Sequence, residues 1–303
     1  MALASRIFRL SRAQFLPVIL TPVLVGSVLA WWTERRFSPF LFVIVVLGGI
    51  FLHLGANAID DTFDYQSGVD VISNKMFPPD FAGWKILPRG LMTFKQARMV
   101  AYLFFSAATI IGLYLTIATG PIILLLGGIG LFFAYFHVAP PLRLGYRGLG
   151  LSELGIFLSF GVLPIIGSFY VQTGYVSTLS LLLGIPLGFL TTSILINHDQ
   201  IFFDAYQKGS KRSFTVTAGR KKAMATAFTL TAASFAIIVC AVALRLLPVT
   251  ALLVLVTVPL FVTQTNLYRT PAQSPLHYVK LTQTTFAMSA AFGVLLALGL
   301  LLG

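Results

Sequence analysis

Apolar positions run in long unbroken stretches along this chain, and polar positions gather in the short joins between them. Nine stretches reach or approach the roughly 20 residues that an α-helix needs to cross the hydrocarbon core. They are 15–33, 40–59, 97–119, 120–138, 151–173, 177–198, 223–244, 247–268 and 282–302. The pattern predicts an all-α polytopic membrane protein with about nine transmembrane helices. The stretches follow end to end without a linker, so residues 1–303 read as a single transmembrane domain. Arg6, Arg9 and Arg12 precede the first stretch as the n-region of a signal peptide would. That stretch is longer than an h-region and ends at Trp31-Trp32 with no small-residue cleavage site, so it is expected to remain as a helix.

Composition sharpens the picture. The chain is 57% hydrophobic and 10% charged, with a mean hydropathy of +0.90. A water-soluble surface of this size needs far more charge, so the expected solvent is a lipid bilayer. Cys240, the single cysteine, lies in an apolar run and is expected in the core; no disulfide framework or cysteine metal site is available. The formal charge of +12 raises nucleic acid as a partner, but the distribution of that charge excludes it. With the N-terminal tail and the even-numbered joins on one side, all but three of the 21 Lys and Arg fall there; Arg35, Arg36 and Arg245 are the exceptions. By the positive-inside rule that side is cytoplasmic. The expected location is a prokaryotic inner (cytoplasmic) membrane, with the N-terminus in the cytoplasm and Gly303 outside.

Acidic residues carry more information because they are scarce and costly near lipid. Seven of the nine fall in two places. Asp60, Asp61, Asp64, Asp70 and Asp80 follow the second stretch, and Asp199 and Asp204 follow the sixth. If the second helix continues through Asn57-Ala-Ile-Asp60-Asp61-Thr-Phe-Asp64, then Asn57, Asp60 and Asp64 share one stripe with Asp61 at its edge. Crowded carboxylates repel one another unless a cation joins them, and hard oxygen ligands beside phosphates are what Mg2+ takes. Asp70 and Asp80 are expected in the following loop without a special role. The bland alternative for the whole group is a solvated helix end.

The second cluster repeats the spacing of the first. Asn197, Gln200 and Asp204 have the same offsets as Asn57, Asp60 and Asp64, 140 residues further on. This reads as a worn internal duplication whose polar stripes face a shared cavity. On that reading Asp204 takes the place of Asp64 as the main second-cluster ligand. Asp199 is a lesser one, because an i, i+5 pair points about 140° apart on a regular helix. Cations follow each cluster, among them Arg89 in the first loop and Lys208, Lys211 and Arg212 in the second. Acids for a metal with Lys and Arg for oxyanions make a diphosphate site. No Walker-type loop or zinc spacing is present. His53 and His137 read as satisfied helix histidines; His198 alone sits in a cluster.

These residues resemble the UbiA superfamily of intramembrane prenyltransferases, along nearly the whole chain. Arg12-Ala-Gln-Phe-Leu-Pro17, Asp60-Asp61-Thr-Phe-Asp64-Tyr-Gln-Ser-Gly-Val-Asp70 and Pro88-Arg89-Gly90-Leu91 are similar to the menaquinone branch, the 1,4-dihydroxy-2-naphthoate polyprenyltransferases. So are Leu144-Gly-Tyr146-Arg147-Gly148-Leu149-Gly150 and Gly167-Ser-Phe-Tyr-Val-Gln-Thr-Gly174. The departures lie in the second motif: the family usually has Asp-x-x-x-Asp and then Gly-Lys-Arg-Thr-Leu. Here Asp199 and Asp204 are five apart, Gln200 takes a polar place, and Ser210-Lys211-Arg212-Ser213-Phe214 replaces the basic element.

The resemblance implies Mg2+-dependent transfer of a polyprenyl group from polyprenyl diphosphate to a small aromatic acceptor. Asp60, Asp61, Asp64 and Asp204, with Asp199, would hold metal. Asn57, Asn197, Arg12, Arg89, Lys208, Lys211 and Arg212 would bind the diphosphate. Tyr135, Arg143, Tyr146 and Arg147 are candidates for the acceptor, with an interfacial belt and a topology signal as the competing reading. Glu153 is a candidate base or a helix cap. Rival acceptors within the superfamily are 4-hydroxybenzoate, haem, chlorophyll and ether-lipid precursors. A secondary transporter fits less well, because transporters keep ionisable groups near the bilayer midplane and these Asp clusters sit at helix ends.

Overall fold

The computed structural model describes residues 2–77, 85–272 and 274–303; Asp80 lies outside them. Helix is the only regular secondary structure among the described residues, apart from one isolated bridge between Arg147 and Arg212. The helices are α1 (Leu3–Leu10), α2 (Pro17–Glu34), α3 (Pro39–Gln66), α4 (Val69–Met76), α5 (Phe94–Thr119), α6 (Ile122–Phe136) and α7 (Leu151–Phe157). A π-helical turn, Leu158–Val162, joins α7 to α8 (Leu163–Thr173). Then come α9 (Thr178–Ile201), α10 (Phe203–Lys208), α11 (Phe214–Ala218) and α12 (Arg220–Ala243). A 3-10 run, Val249–Thr257, leads into α13 (Val258–Arg269), and α14 (Pro275–Leu302) closes the chain. Eight spans are long and apolar enough to cross a bilayer, and the chain is an integral membrane protein. The fourth expected stretch forms a shorter apolar helix, α6, of 15 residues.

Local chemistry sets the ends. Pro17 and Pro39 open α2 and α3, where a missing N–H costs nothing. Thr93 and Gln96 form a reciprocal capping box at α5. α3 has 28 residues, so at 1.5 Å per residue it is roughly 42 Å long and outruns the hydrocarbon core. Its last turns, which carry Asp60, Asp61 and Asp64, therefore reach the end of the bundle that also gathers most Lys and Arg. Gly68, in the left-handed region at φ 84°, then turns the chain into α4.

In a bilayer, helices associate through close packing and hydrogen bonds rather than through exclusion of water. α7–α8 crosses α9 where glycines face each other: a Cβ on Gly161 would strike the Gly188 backbone, and one on Gly188 would lie 2.7 Å from the Phe157 carbonyl. A core of Leu29, Phe169, Leu187, Phe235 and Phe292 joins α2, α8, α9, α12 and α14. Four side chains add a closed polar ring at the α9–α13–α14 junction. Asn197 Nδ2 and Gln264 Nε2 donate to Thr285 Oγ1 (2.9 and 3.0 Å), Tyr268 OH donates to Asn197 Oδ1 (3.0 Å), and Gln264 Nε2 reaches Tyr268 OH (2.9 Å). Each such bond contributes about 0.6 kcal/mol in a membrane. Cys240 is exposed on α12, towards lipid rather than in the core, because α12 packs by its opposite face.

Candidate active site

Two adjoining cavities lie inside the bundle. The polar one, about 150 Å3, is at the charged end and is lined by Arg12, Asp60, His137, Asp199, Tyr206 and Lys211 among others. The apolar one, about 240 Å3, continues between α2, α3, α5, α6 and α8. Ile19, Gly49, Leu52, Gly130 and Ser159 line both.

The first Asp cluster is wired to cations from distant segments. The chain turns at Arg12 (φ 48°) between α1 and α2, which aims its guanidinium at Asp60 Oδ2 (3.0 Å) and at Asp61. Lys85 bridges Asp61 Oδ1 (3.0 Å) and Asp70 Oδ1 (2.9 Å). Lys211 reaches Asp64 Oδ2 at 2.7 Å, and Tyr146 OH donates to Asp64 Oδ1 at 2.6 Å. The Lys211 ammonium also lies over the rings of Tyr206 (4.6 Å) and Tyr146 (5.3 Å). Burial works to lower the Lys211 pKa, but Asp64 and its neighbours carry it well above the ordinary value, so the side chain is a permanent cation. Burial pushes the Asp70 carboxyl up to about 7 against the pull of Lys85. Asp70, expected to be idle, is thus part of the network.

The second cluster differs from the expected repeat. α9 ends at Ile201, and Phe202 (φ −100°, ψ 10°) breaks the helix before α10. The register linking Asn197, Gln200 and Asp204 therefore does not continue. Asn197 is held in the polar ring, and Gln200 exchanges bonds with Arg220. The Asp204 side chain is 63% exposed and pairs with Arg220 at 3.3 Å, outside the cavity. Asp199 lines the cavity instead, with His198 Nδ1 3.8 Å away. The structure thus brings Asn57, Asp60, Asp61, Asp64, Asp199, Arg12, Lys211 and Tyr146 together, and leaves Asp204 and Asn197 apart.

The other expected contacts divide in the same way. Lys208 and Arg212 are exposed. Arg89 sits on the turn after Lys85, with its Nη2 shielded and unpartnered. Tyr135 packs among Phe63, Phe105 and Tyr102. Arg143 stacks on Tyr146, and Arg147 donates to the Leu142 carbonyl, so neither enters the cavity. Glu153 is buried with both carboxyl oxygens unpartnered. His53 and His137, read from the sequence as satisfied helix histidines, both line the polar cavity: His53 bonds Asn57 (3.0 Å), and His137 sits 3.3 Å from Ser152 Oγ and 4.0 Å from Asp60. Tyr206 of α10 also lines it and had no signal in the sequence, since an isolated tyrosine carries no spacing.

A divalent cation fits this donor set. Asp60, Asp61, Asp64 and Asp199 are formally four negative charges against three from Arg12, Lys85 and Lys211. Asp61 Oδ2 is buried and has no partner. Among the described residues no three acids or histidines form a ready-made cage. That suits Mg2+, which takes one or two carboxylates and completes its shell with phosphate and water.

Residues 19–283 match the UbiA prenyltransferase family. The chain is similar to 1,4-dihydroxy-2-naphthoate octaprenyltransferase of Bacillus subtilis, 25% identical over 231 residues that span 76% of this chain and 70% of that protein. The enzyme of the same name from Mycobacterium leprae is 26% identical, over 61% of this chain and 60% of its own. In three dimensions the fold matches a UbiA homologue from Archaeoglobus fulgidus solved with DMAPP and Mg2+. The TM-score is 0.64 at 16% identity, covering 95% of this chain and 99% of that one.

Proposed function

Because the chain belongs to the UbiA prenyltransferase family, we propose that this membrane-embedded prenyltransferase moves a polyprenyl group from polyprenyl diphosphate to 1,4-dihydroxy-2-naphthoate, in menaquinone biosynthesis. The observation that carries the reading is the junction of a charged cavity with an apolar one. An amphiphile with a diphosphate head and a hydrocarbon tail matches both halves. The naphthoate is supported by the names of the relatives and by the resemblances around Arg12, Asp61 and Tyr146.

The chemistry follows from the cavity walls. The bond between the allylic carbon and the diphosphate oxygen breaks, and the electron pair leaves with the diphosphate. Mg2+, when bound, supplies the charge that stabilises this leaving group; Asp60 and Asp199, the two carboxylates that line the cavity, would hold it. Lys211 and Arg12 add preorganised positive charge in a site screened from water. Asp64 and Tyr146 act one step back, by fixing Lys211. Phe133 and Phe160 line the same cavity, and aromatic rings there stabilise a developing carbocation. An electron-rich ring carbon then bonds to the allylic carbon and passes its proton to the released diphosphate. Asp199 takes the second-motif role expected of Asp204.

The test offers purified protein labelled geranylgeranyl diphosphate, Mg2+ and a panel of acceptors. Transfer to 1,4-dihydroxy-2-naphthoate in preference to 4-hydroxybenzoate, lost on chelation, is the expected result. Preference for the benzoate would reassign the acceptor, and transfer to none of the panel would remove the reading.

A further inference from the structure

Two sets of helical glycines in this bundle contrast. Gly26, Gly161, Gly184 and Gly188 sit at helix crossings, where an added Cβ would run into a neighbouring backbone. Gly112, Gly127, Gly128 and Gly167 do not. A Cβ at the first three meets nothing within 4 Å, and at Gly167 the nearest atom is Leu126 Cδ1 at 3.8 Å. Gly weakens a helix relative to Ala, so four helical glycines without a close neighbour call for another account. All four line the apolar cavity.

Their position within that cavity is ordered. Gly130, which also lines the polar cavity, marks the near end. Gly112 lies in the last third of α5 and Gly167 in the middle of α8, whereas Gly127 and Gly128, in the middle of α6, are within one helical turn of Gly130. From Ser159, at the junction, to Val171 at the far end is 12 residues, roughly 18 Å of helix rise. The lining offers almost nothing polar. Thr109 and Ser168 bond backbone carbonyls of their own helices, and the unpartnered Ser159 Oγ is at the polar junction. Leu113 and Leu124 on the rim are 48% and 56% exposed, so the cavity opens sideways between α5 and α6.

We infer that Gly112 and Gly167 set the length of prenyl chain the enzyme accepts, by leaving room in the apolar cavity beyond its junction with the polar one. This rests on the prenyl-transfer reading above. The occupant is the donor's own tail, because the cavity is continuous with the one that holds the charged residues. A side chain at either position fills space that only a long tail needs. The near end, bounded by Ile19, Leu52 and Gly130, is untouched and still takes a short tail.

The experiment compares Gly112→Leu and Gly167→Leu with the unaltered protein, using geranyl and octaprenyl diphosphate and one acceptor. Expected is a fall of roughly 10-fold or more in kcat/KM for the octaprenyl donor, with the geranyl donor within about two-fold, the discrimination that filling an apolar pocket can give. An unchanged ratio between the donors, including an equal loss of both, overturns the inference. To keep the test independent of how the variants fold, an octaprenyl diphosphate with a photoreactive diazirine on its terminal unit is crosslinked to the unaltered protein. Labelled peptides from α5, α6 and α8 support the proposal; labels confined to other helices overturn it, as they would if a bilayer acyl chain filled this space. If the unaltered protein transfers neither donor, the prenyl-transfer reading itself has failed, which is a separate outcome.

Discussion

Asp199 and Asp204 are five residues apart and have opposite surroundings. Asp199 is 4% exposed and lines the polar cavity, whereas Asp204 points outwards to Arg220. Asp199→Ala is therefore expected to lower the prenyl-transfer rate at least ~100-fold, the scale of losing a main charge-stabilising group. Asp204→Ala loses only an exposed ion pair, worth about 0–1 kcal/mol, and is expected to keep nearly full rate. Steady-state kinetics on the two variants decide it; a dead Asp204→Ala beside an active Asp199→Ala would return the role to Asp204. Sequence reasoning chose the other acid for a stated reason, the shared offsets of Asn57/Asp60/Asp64 and Asn197/Gln200/Asp204. That shared stripe does not continue, because offsets place side chains only while a helix lasts, and this one stops at Phe202. The first cluster was legible because α3 is continuous through Gln66. Lys85 was visible only as one loop cation among several, since its two carboxylate partners come from α3 and α4.

At the scale of elements, the long apolar helices and their order were readable; the short helices α1, α4, α10 and α11, with Asp70 in α4 rather than in a loop, and the junctions were not. Long apolar runs announce helices whatever they pack against, so the nine stretches map onto the helices of the bundle. The break after Ile201, the π turn at Leu158–Val162 and the polar ring at Asn197 depend on neighbours distant in sequence. Glycine shows the same limit: the composition gives 26 of them, but not which ones hold helices together. The crossing of α7–α8 with α9 supplies a test. Gly188→Val must place methyl groups where Phe157 already stands, 2.6 Å from the added Cβ, and overpacking of that kind costs about 1–3 kcal/mol. A lower melting temperature in detergent and less monodisperse protein are expected. Gly112→Ala, whose Cβ meets no atom within 4 Å, is expected to melt like the unaltered protein. Equal melting of all three would mean that the crossing can relax.

At the scale of the whole molecule, charge and chemistry share one end. The carboxylates, their three cations and most loop Lys and Arg gather at the termini of α3, α6 and α9, while Arg35, Arg36 and Arg245 mark the other end. By the positive-inside rule, a reporter fused after Gly303 is expected outside and one inserted within 205–222 in the cytoplasm. The reverse result would move the diphosphate site away from its cytosolic supply and count against the proposed reaction. The sideways opening of the apolar cavity between α5 and α6 has a kinetic consequence. A donor whose tail enters from the lipid reaches the enzyme by diffusion in two dimensions, and its bulk molarity is not the quantity the enzyme senses. In mixed micelles the rate should follow the mole fraction of prenyl diphosphate in the micelle. Adding detergent at constant total donor should then slow the reaction, and restoring the ratio should restore it. A rate that tracks bulk concentration instead would mean that the tail arrives through water.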